Sequence, residues 1–218
     1  MWEVVDLFPT KEEWNKALAE RHGKVLQKAF SSATVAICGL GGLGSHIAIS
    51  LARAGLGKLI LIDFDKVDVT NLHRQQYKAN QIGSNKTDAL SENLKEIAPH
   101  INLEAHTVRI TEKNAAGLLK DAEIICEAFD DAEAKAMLTN LVLEAMPEKF
   151  LVAASGMAGF GSANTVKTRR ITSKFYLCGD EVSDVQSEGS LVSSRVMLCA
   201  AHQAHTVLRI LAEKFETE

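Results

Sequence analysis

The apolar run Val35-Ala36-Ile37-Cys38, followed at once by Gly39-Leu40-Gly41-Gly42-Leu43-Gly44, constrains this chain more than any other stretch. Four apolar residues in a row suit a strand buried on both faces. The glycines mark a tight turn, and Ser45 to Ala54 has the pattern of a helix that Gly55-Leu56-Gly57 closes. A strand, a glycine turn and a helix in that order present unpaired backbone N–H groups and the positive end of a helix dipole, a setting suited to phosphate. The spacing Gly39-x-Gly41-x-x-Gly44 therefore points to a bound nucleotide. The alternative is a tight structural turn with no ligand, and the glycines alone do not separate NAD from ATP.

The same alternation continues along the chain. Leu59 to Ile62, Asn102 to Val108, Glu123 to Ala128 and Phe150 to Ala154 read as strands. Lys86 to Ala98, Ala115 to Leu119 and Ala132 to Ala145 read as helices, the first of them halted by Pro99. Strand and helix in turn, with short connections, predict an α/β fold: Rossmann-like, doubly wound, with a mostly parallel sheet. The 218 residues read as one domain with three parts. Residues 1–32 form an N-terminal helical segment, in which Trp14, Leu18, Val25 and Leu26 are spaced to pack beside the core. Residues 33–154 form the nucleotide-binding core. Residues 155–218 add an antiparallel C-terminal extension: one or two strands within Thr165 to Tyr176, a polar loop from Gly179 to Ser190 expected to be mobile, and a closing helix over 191–216. That helix should turn Val196, Leu198, Val207, Leu208 and Leu211 toward the core.

Composition narrows the function class. A formal net charge of −4 gives no basis for nonspecific nucleic-acid binding, although Lys167, Arg169 and Arg170 cluster. No apolar stretch approaches the roughly 20 residues of a membrane span. The start, Met1-Trp2-Glu3-Val4-Val5-Asp6, lacks the regions of a signal peptide, so the cytoplasm is the expected location. Cys38, Cys126, Cys178 and Cys199 are widely spaced and form no C-x-x-C pair, so no structural zinc is expected. Cys38 and Cys126 fall in apolar runs and read as small core residues.

The residues after the second strand say more about the chemistry. Asp63 ends that strand about 20 residues past the glycines, placed for ribose hydroxyls or, more simply, as a cap. Asp65 either shares the ribose or stabilises the loop. Asn71-x-x-Arg74-Gln75 has no use in a dinucleotide dehydrogenase. Adenylyl transfer from ATP, by contrast, needs cations that offset charge as pyrophosphate leaves. Arg74 and Lys86 fill that role, with Asn71 donating to a phosphate. Taken without their neighbours, the same residues would read as a solvated polar loop.

The run Gly39 to Ser45, then Asp63-Phe64-Asp65-x-Val67 with Asn71-Leu72-x-Arg74-Gln75, then Gly83-x-x-Lys86, resembles the ThiF/MoeB/HesA family, bacterial relatives of ubiquitin-activating enzymes. The likeness is dense from Val35 to Ala98 and can be followed to Phe150. It implies ATP-dependent adenylation of the C-terminal glycine of a small ubiquitin-fold sulfur-carrier protein, ThiS-like, in thiamine biosynthesis or related sulfur transfer. By the same resemblance Gly39, Gly41, Gly42, Gly44, Asp63, Asp65, Asn71, Arg74, Gln75 and Lys86 hold the nucleotide. Asp130 matches the magnesium-binding aspartate, with Asp131 as its competitor or the two together as a helix cap. Arg21 resembles the arginine that reaches across a homodimer into the partner's site. Longer members carry two C-x-x-C pairs for zinc; this chain resembles the compact, zinc-free branch. Cys178, before the polar loop, is the candidate sulfur-transfer thiol, against a reading as an unreactive strand-end cysteine.

Three functions follow for test. The first is the adenylyltransferase, with no membrane partner. The second keeps ATP and moves the acceptor carboxylate onto a modified tRNA, a reading the Lys167-Thr168-Arg169-Arg170 segment suggests and the acidic total opposes. The third is a nucleotide-binding scaffold without catalysis, which has no need of Arg74, Lys86 and Asp130 together.

Overall fold

The computed structural model describes residues 8–217. Two helices come first, α1 (Lys11–His22) and α2 (Lys24–Ser32). Gly23, at φ +92°, breaks them apart. Thr10 caps α1 through a reciprocal pair with Glu13. Val25 does not pack as its spacing suggests; it is 83% exposed, and α2 buries Gln27 and Phe30 instead.

The nucleotide-binding core follows in the expected order: β1 (Thr34–Cys38), α3 (Gly42–Arg53), β2 (Lys58–Asp63), α4 (Lys86–Ile97), β3 (Asn102–Thr107), α5 (Glu112–Leu119), β4 (Ile124–Glu127), α6 (Ala132–Ala145) and β5 (Phe150–Ala154). Residue 55 closes α3 with a glycine at φ +81°, as the sequence pattern requires. The chain ends with β6 (Lys167–Arg170), β7 (Phe175–Gly179), the short helix α7 (Val185–Glu188) and the long helix α8 (Ser193–Leu211).

All seven strands join one sheet in the order β3-β2-β1-β4-β5-β7-β6. The C-terminal strands are thus an extension of the main sheet. β7 runs parallel to β5, with Val152 opposite Tyr176, and only the edge strand β6 is antiparallel. Alternate residues feed two apolar layers. Val35, Ile37, Leu59, Leu61 and Cys126 pack with α3, α4 and α8. Ala36, Cys38, Ile60, Ile62 and Ile125 pack with α5 and α6. Full burial of each large aliphatic side chain here contributes about 1.5–3 kcal/mol. Among the described residues no helix is long and apolar enough to cross a membrane.

Two features position the site. Strand order reverses between β1 and β4, and in open sheets of this kind ligands gather beyond the strand ends at such a point. The segment 179–190 is a hydrogen-bonded wall rather than a free loop. Asp180 and Asp184 accept from their own backbone at Val182, Ser183, Gln186 and Ser187, which folds the polar residues into turns.

Candidate active site

A cleft of about 570 Å³ opens beyond the C-terminal ends of the strands on both sides of the reversal. Its floor is the glycine turn. Leu40 N–H donates to Asp63 Oδ2 at 2.6 Å, and the Tyr77 hydroxyl donates to the Leu40 carbonyl at 2.6 Å. Burial, with the Asp63 and Asp65 carboxylates adding to it, pushes the Tyr77 hydroxyl upward, so it remains a donor. The glycines do different work. At Gly44 a Cβ would stand 1.8 Å from the Gly39 carbonyl, so this glycine allows α3 to close onto β1 and does not line the cleft. At Gly41 a Cβ would meet only Gln75 Nε2, at 3.6 Å, which leaves that backbone open to a ligand.

Beside the turn stand the cations. Lys86 begins α4, is 5% exposed, and reaches Asp65 Oδ2 at 2.8 Å. Its backbone N–H also donates to the Asp65 carbonyl. Asp65 thereby orients Lys86, which favours the loop-stabilising choice left open by sequence. Arg74 lines the cleft, partly buried, and bonds the Thr70 carbonyl at 3.2 Å. Gln75 lies buried beside Gly41 with its Oε1 unpartnered, so its amide has hydrogen-bonding capacity to offer a ligand.

The acidic pair after β4 divides its roles. Asp131 accepts from Ala134 N–H at 2.8 Å and caps α6. Asp130 faces the cleft, exposed, with no hydrogen bond or ion pair among the described residues. One free carboxylate beside a phosphate site suits magnesium, which uses one or two carboxylates plus phosphate oxygens. No group of three or more His, Cys, Asp or Glu among the described residues could hold a metal unaided.

Gly39, Gly41, Gly42, Asp63, Asp65, Arg74, Gln75, Lys86 and Asp130 therefore share one cleft. Four candidates stand outside it, Gly44 among them. Asn71 accepts from the Asp68 N–H through its Oδ1 in a 3-10 turn, a local cap that uses its acceptor only. Arg21 is exposed in the last turn of α1. Cys178 is fully buried beneath α8, beside the Thr168 and Thr206 hydroxyls, a setting that fits the reading as an unreactive strand-end thiol. Burial pushes its thiol up to about 11 despite those hydroxyls, so little thiolate forms near neutrality. All four cysteines are buried. Ellman's reagent should accordingly titrate no thiol rapidly in the native protein and all four after denaturation; a fast-reacting Cys178 would reverse this assignment.

Several lining residues carried no sequence signal. Arg109, just past β3, lays its guanidinium 3.9 Å over the Phe64 ring. Lys135, one turn into α6, reaches back to the buried Glu127 at 2.9 Å and to the Phe129 carbonyl at 3.1 Å. Glu127 also accepts from Phe129 N–H at 2.8 Å, so this pair frames the turn that carries Asp130. Burial raises the Glu127 carboxyl, and Lys135 partly offsets it.

The adenylyltransferase and sulfurtransferase UBA4 of Candida glabrata is 29% identical over 203 residues, which cover 90% of this chain and 46% of that protein. Ubiquitin-like modifier-activating enzyme 5 of Caenorhabditis briggsae is 45% identical over 111 residues, 50% of this chain and 25% of the relative. The chain thus spans less than half the length of these curated relatives. Among solved structures, the Escherichia coli tRNA N6-threonylcarbamoyladenosine dehydratase TcdA, in complex with AMP, superposes with a TM-score of 0.81 at 21% identity. That match covers 91% of this chain and 94% of the other, and shows the shared fold. The model of the ThiF family matches residues 15–218, and the chain belongs to that family.

Proposed function

We propose that this chain is an ATP-dependent adenylyltransferase that activates the C-terminal glycine carboxylate of a small ubiquitin-fold sulfur-carrier protein, ThiS-like, in the cytoplasm. The observation that carries the reading is the order of groups along one sheet edge. Arg109 follows β3, Asp63 ends β2, the glycine turn follows β1, Asp130 follows β4, and Ser155-Gly156 follow β5. Base, ribose, phosphates and acceptor can lie along that edge in sequence, with Arg74 and Lys86 over the phosphates. The relatives named as adenylyltransferases and a modifier-activating enzyme, and the TcdA structure holding AMP, support it.

The acceptor carboxylate attacks the α-phosphorus, the bond to the bridging oxygen of pyrophosphate breaks, and an acyl-adenylate remains. No proton has to be removed from the attacking oxygen, so orientation and charge neutralisation provide the rate. Lys86 is held by Asp65 and Arg74 by the 70–75 turn, so neither must reorganise as charge moves to the leaving group. Magnesium, held by Asp130 and the phosphates, would supply further neutralising charge. Arg21 would act from the second subunit of a homodimer, since on its own subunit it stands outside the cleft.

A tRNA acceptor is favoured by the TcdA likeness and opposed by the charges here. Arg169 is paired with Glu181, and Arg170 bonds the Ser173 carbonyl and lies over Tyr176. The wall around the acceptor end offers Asp184 instead. Exchange of labelled pyrophosphate into ATP, dependent on a carrier ending in glycine, is the expected result, with an AMP adduct of the carrier by mass spectrometry. Exchange driven by tRNA and not by any carrier, or NAD reduction without exchange, would sink the proposal.

A further inference from the structure

The loops after β5 and β7 form the acceptor-side wall of the cleft through residues 155–158 and 183–185. Their backbones are joined: Asp180 N–H donates to the Gly156 carbonyl at 2.9 Å, Glu181 N–H to the Ser155 carbonyl at 2.9 Å, and Gly159 N–H to the Ser190 carbonyl at 2.9 Å. Behind this double loop lies Arg195, in the first turn of α8 and 6% exposed. Nε donates to the Ala158 carbonyl at 3.0 Å, and Nη1 to the carbonyls of Gly161 and Ser162 at 2.8 and 2.9 Å. Nη2 donates to Thr165 Oγ1 at 3.2 Å and to the Asp180 carboxylate. A guanidinium has five N–H donors, and here five acceptors take them. Nothing is left over for a ligand, so Arg195 is neither a phosphate site nor a catalytic group.

We infer that Arg195 is a positioning residue for the adenylation proposed above, on which this inference rests: it sets the separation of the two loops and hence the seat of the acceptor carboxylate. Its neighbours along the helix, Val196, Cys199 and Ala200, are apolar core residues, so a methionine at 195 would fill the space, at the cost of leaving the Asp180 carboxylate to its Val182 and Ser183 donors alone. What the methionine could not do is hold three loop carbonyls at fixed spacing. The fit is close on the loop side as well, because a Cβ on Gly156 would meet Asp180 Oδ1 at 2.1 Å. The nucleotide end of the cleft is built from β1, β2 and α4 and takes no bond from Arg195. Loss of the guanidinium should therefore divide the two substrates.

The test is Arg195→Met and Arg195→Lys in the full chain, with ATP affinity by calorimetry and steady-state kinetics against the carrier. ATP affinity should stay within about twofold, while kcat/KM for the carrier falls on the order of 10²-fold, mostly through its KM. Arg195→Lys, which keeps only the contact to Asp180, should recover a minor part. Carrier kinetics unchanged in a folded variant would overturn the inference. Parallel weakening of ATP would also overturn it, since it would mark general disruption. Where Arg195→Met does not fold, Asp180→Asn is read by the same two measurements and the same criteria. Wild-type behaviour keeps the two levels apart: absence of carrier-dependent exchange defeats the adenylation itself, whereas exchange in wild type leaves the variants to judge Arg195 alone.

Discussion

Asp130→Asn is expected to lower carrier-dependent ATP–pyrophosphate exchange on the order of 10²–10³-fold, with an unchanged melting temperature. The expectation comes from the contrast within one dipeptide. Asp131 is committed to the Ala134 N–H and closes the first turn of α6. Asp130 is exposed, bonds to nothing among the described residues, and lines the cleft. A carboxylate without a structural partner can be neutralised at little cost to the fold. Its loss would be felt where a cation and phosphates must be held during displacement. Asp131→Ala should do the reverse: about 1 kcal/mol of stability lost with the cap, and exchange close to wild type. Exchange and urea unfolding on both variants decide the assignment. An active Asp130→Asn beside an inactive Asp131→Ala would exchange the two roles.

The residues alone do not divide these roles in the sequence; only the family resemblance singles out Asp130 over its neighbour. The fold itself was legible because its signals are local. Unbroken apolar runs such as Val35–Cys38 mark buried strands, glycine spacing marks the phosphate turn, and Pro99 and Gly55 mark helix ends. Arg74 and Lys86 stand 11 and 23 residues past Asp63, and the fold brings all three into one cleft. Long-range pairing was not legible. Nothing local says that β7 lies beside β5, although the β-branched, basic stretch around it does read as the antiparallel extension that β6 and β7 form. No sequence signal marks Arg195, which only the packing of α8 against two distant loops buries. Cys178 precedes the polar loop in sequence, but strand alternation turns its side chain inward, under α8.

Lys135→Met should have the largest effect on stability, about 3–5 kcal/mol near pH 8, because it strands a buried charge. Glu127 is 1% exposed, and its two carboxylate oxygens receive Lys135 at 3.0 and 2.9 Å and Phe129 N–H at 2.8 Å. Burial already raises this carboxyl above its ordinary 4.5, with Lys135 the main opposing charge. Without the ammonium the folded state favours the protonated acid still more strongly. The sign follows directly. A carboxyl raised in the folded state binds more protons there than in the unfolded chain, so stability falls as pH rises above 4.5 and through the folded value. The variant should therefore unfold at similar urea concentration to wild type at low pH and fall progressively behind it toward pH 8. Glu127→Gln combined with Lys135→Met should recover much of the loss, since a neutral amide still accepts from Phe129 and strands no charge. A loss independent of pH, or a double variant no better than the single one, would show that Lys135 matters for packing alone. Because the pair spans the turn bearing Asp130, the double variant separates two effects: restored stability with exchange still impaired would place Glu127 and Lys135 behind the geometry of Asp130 as well as beneath the fold.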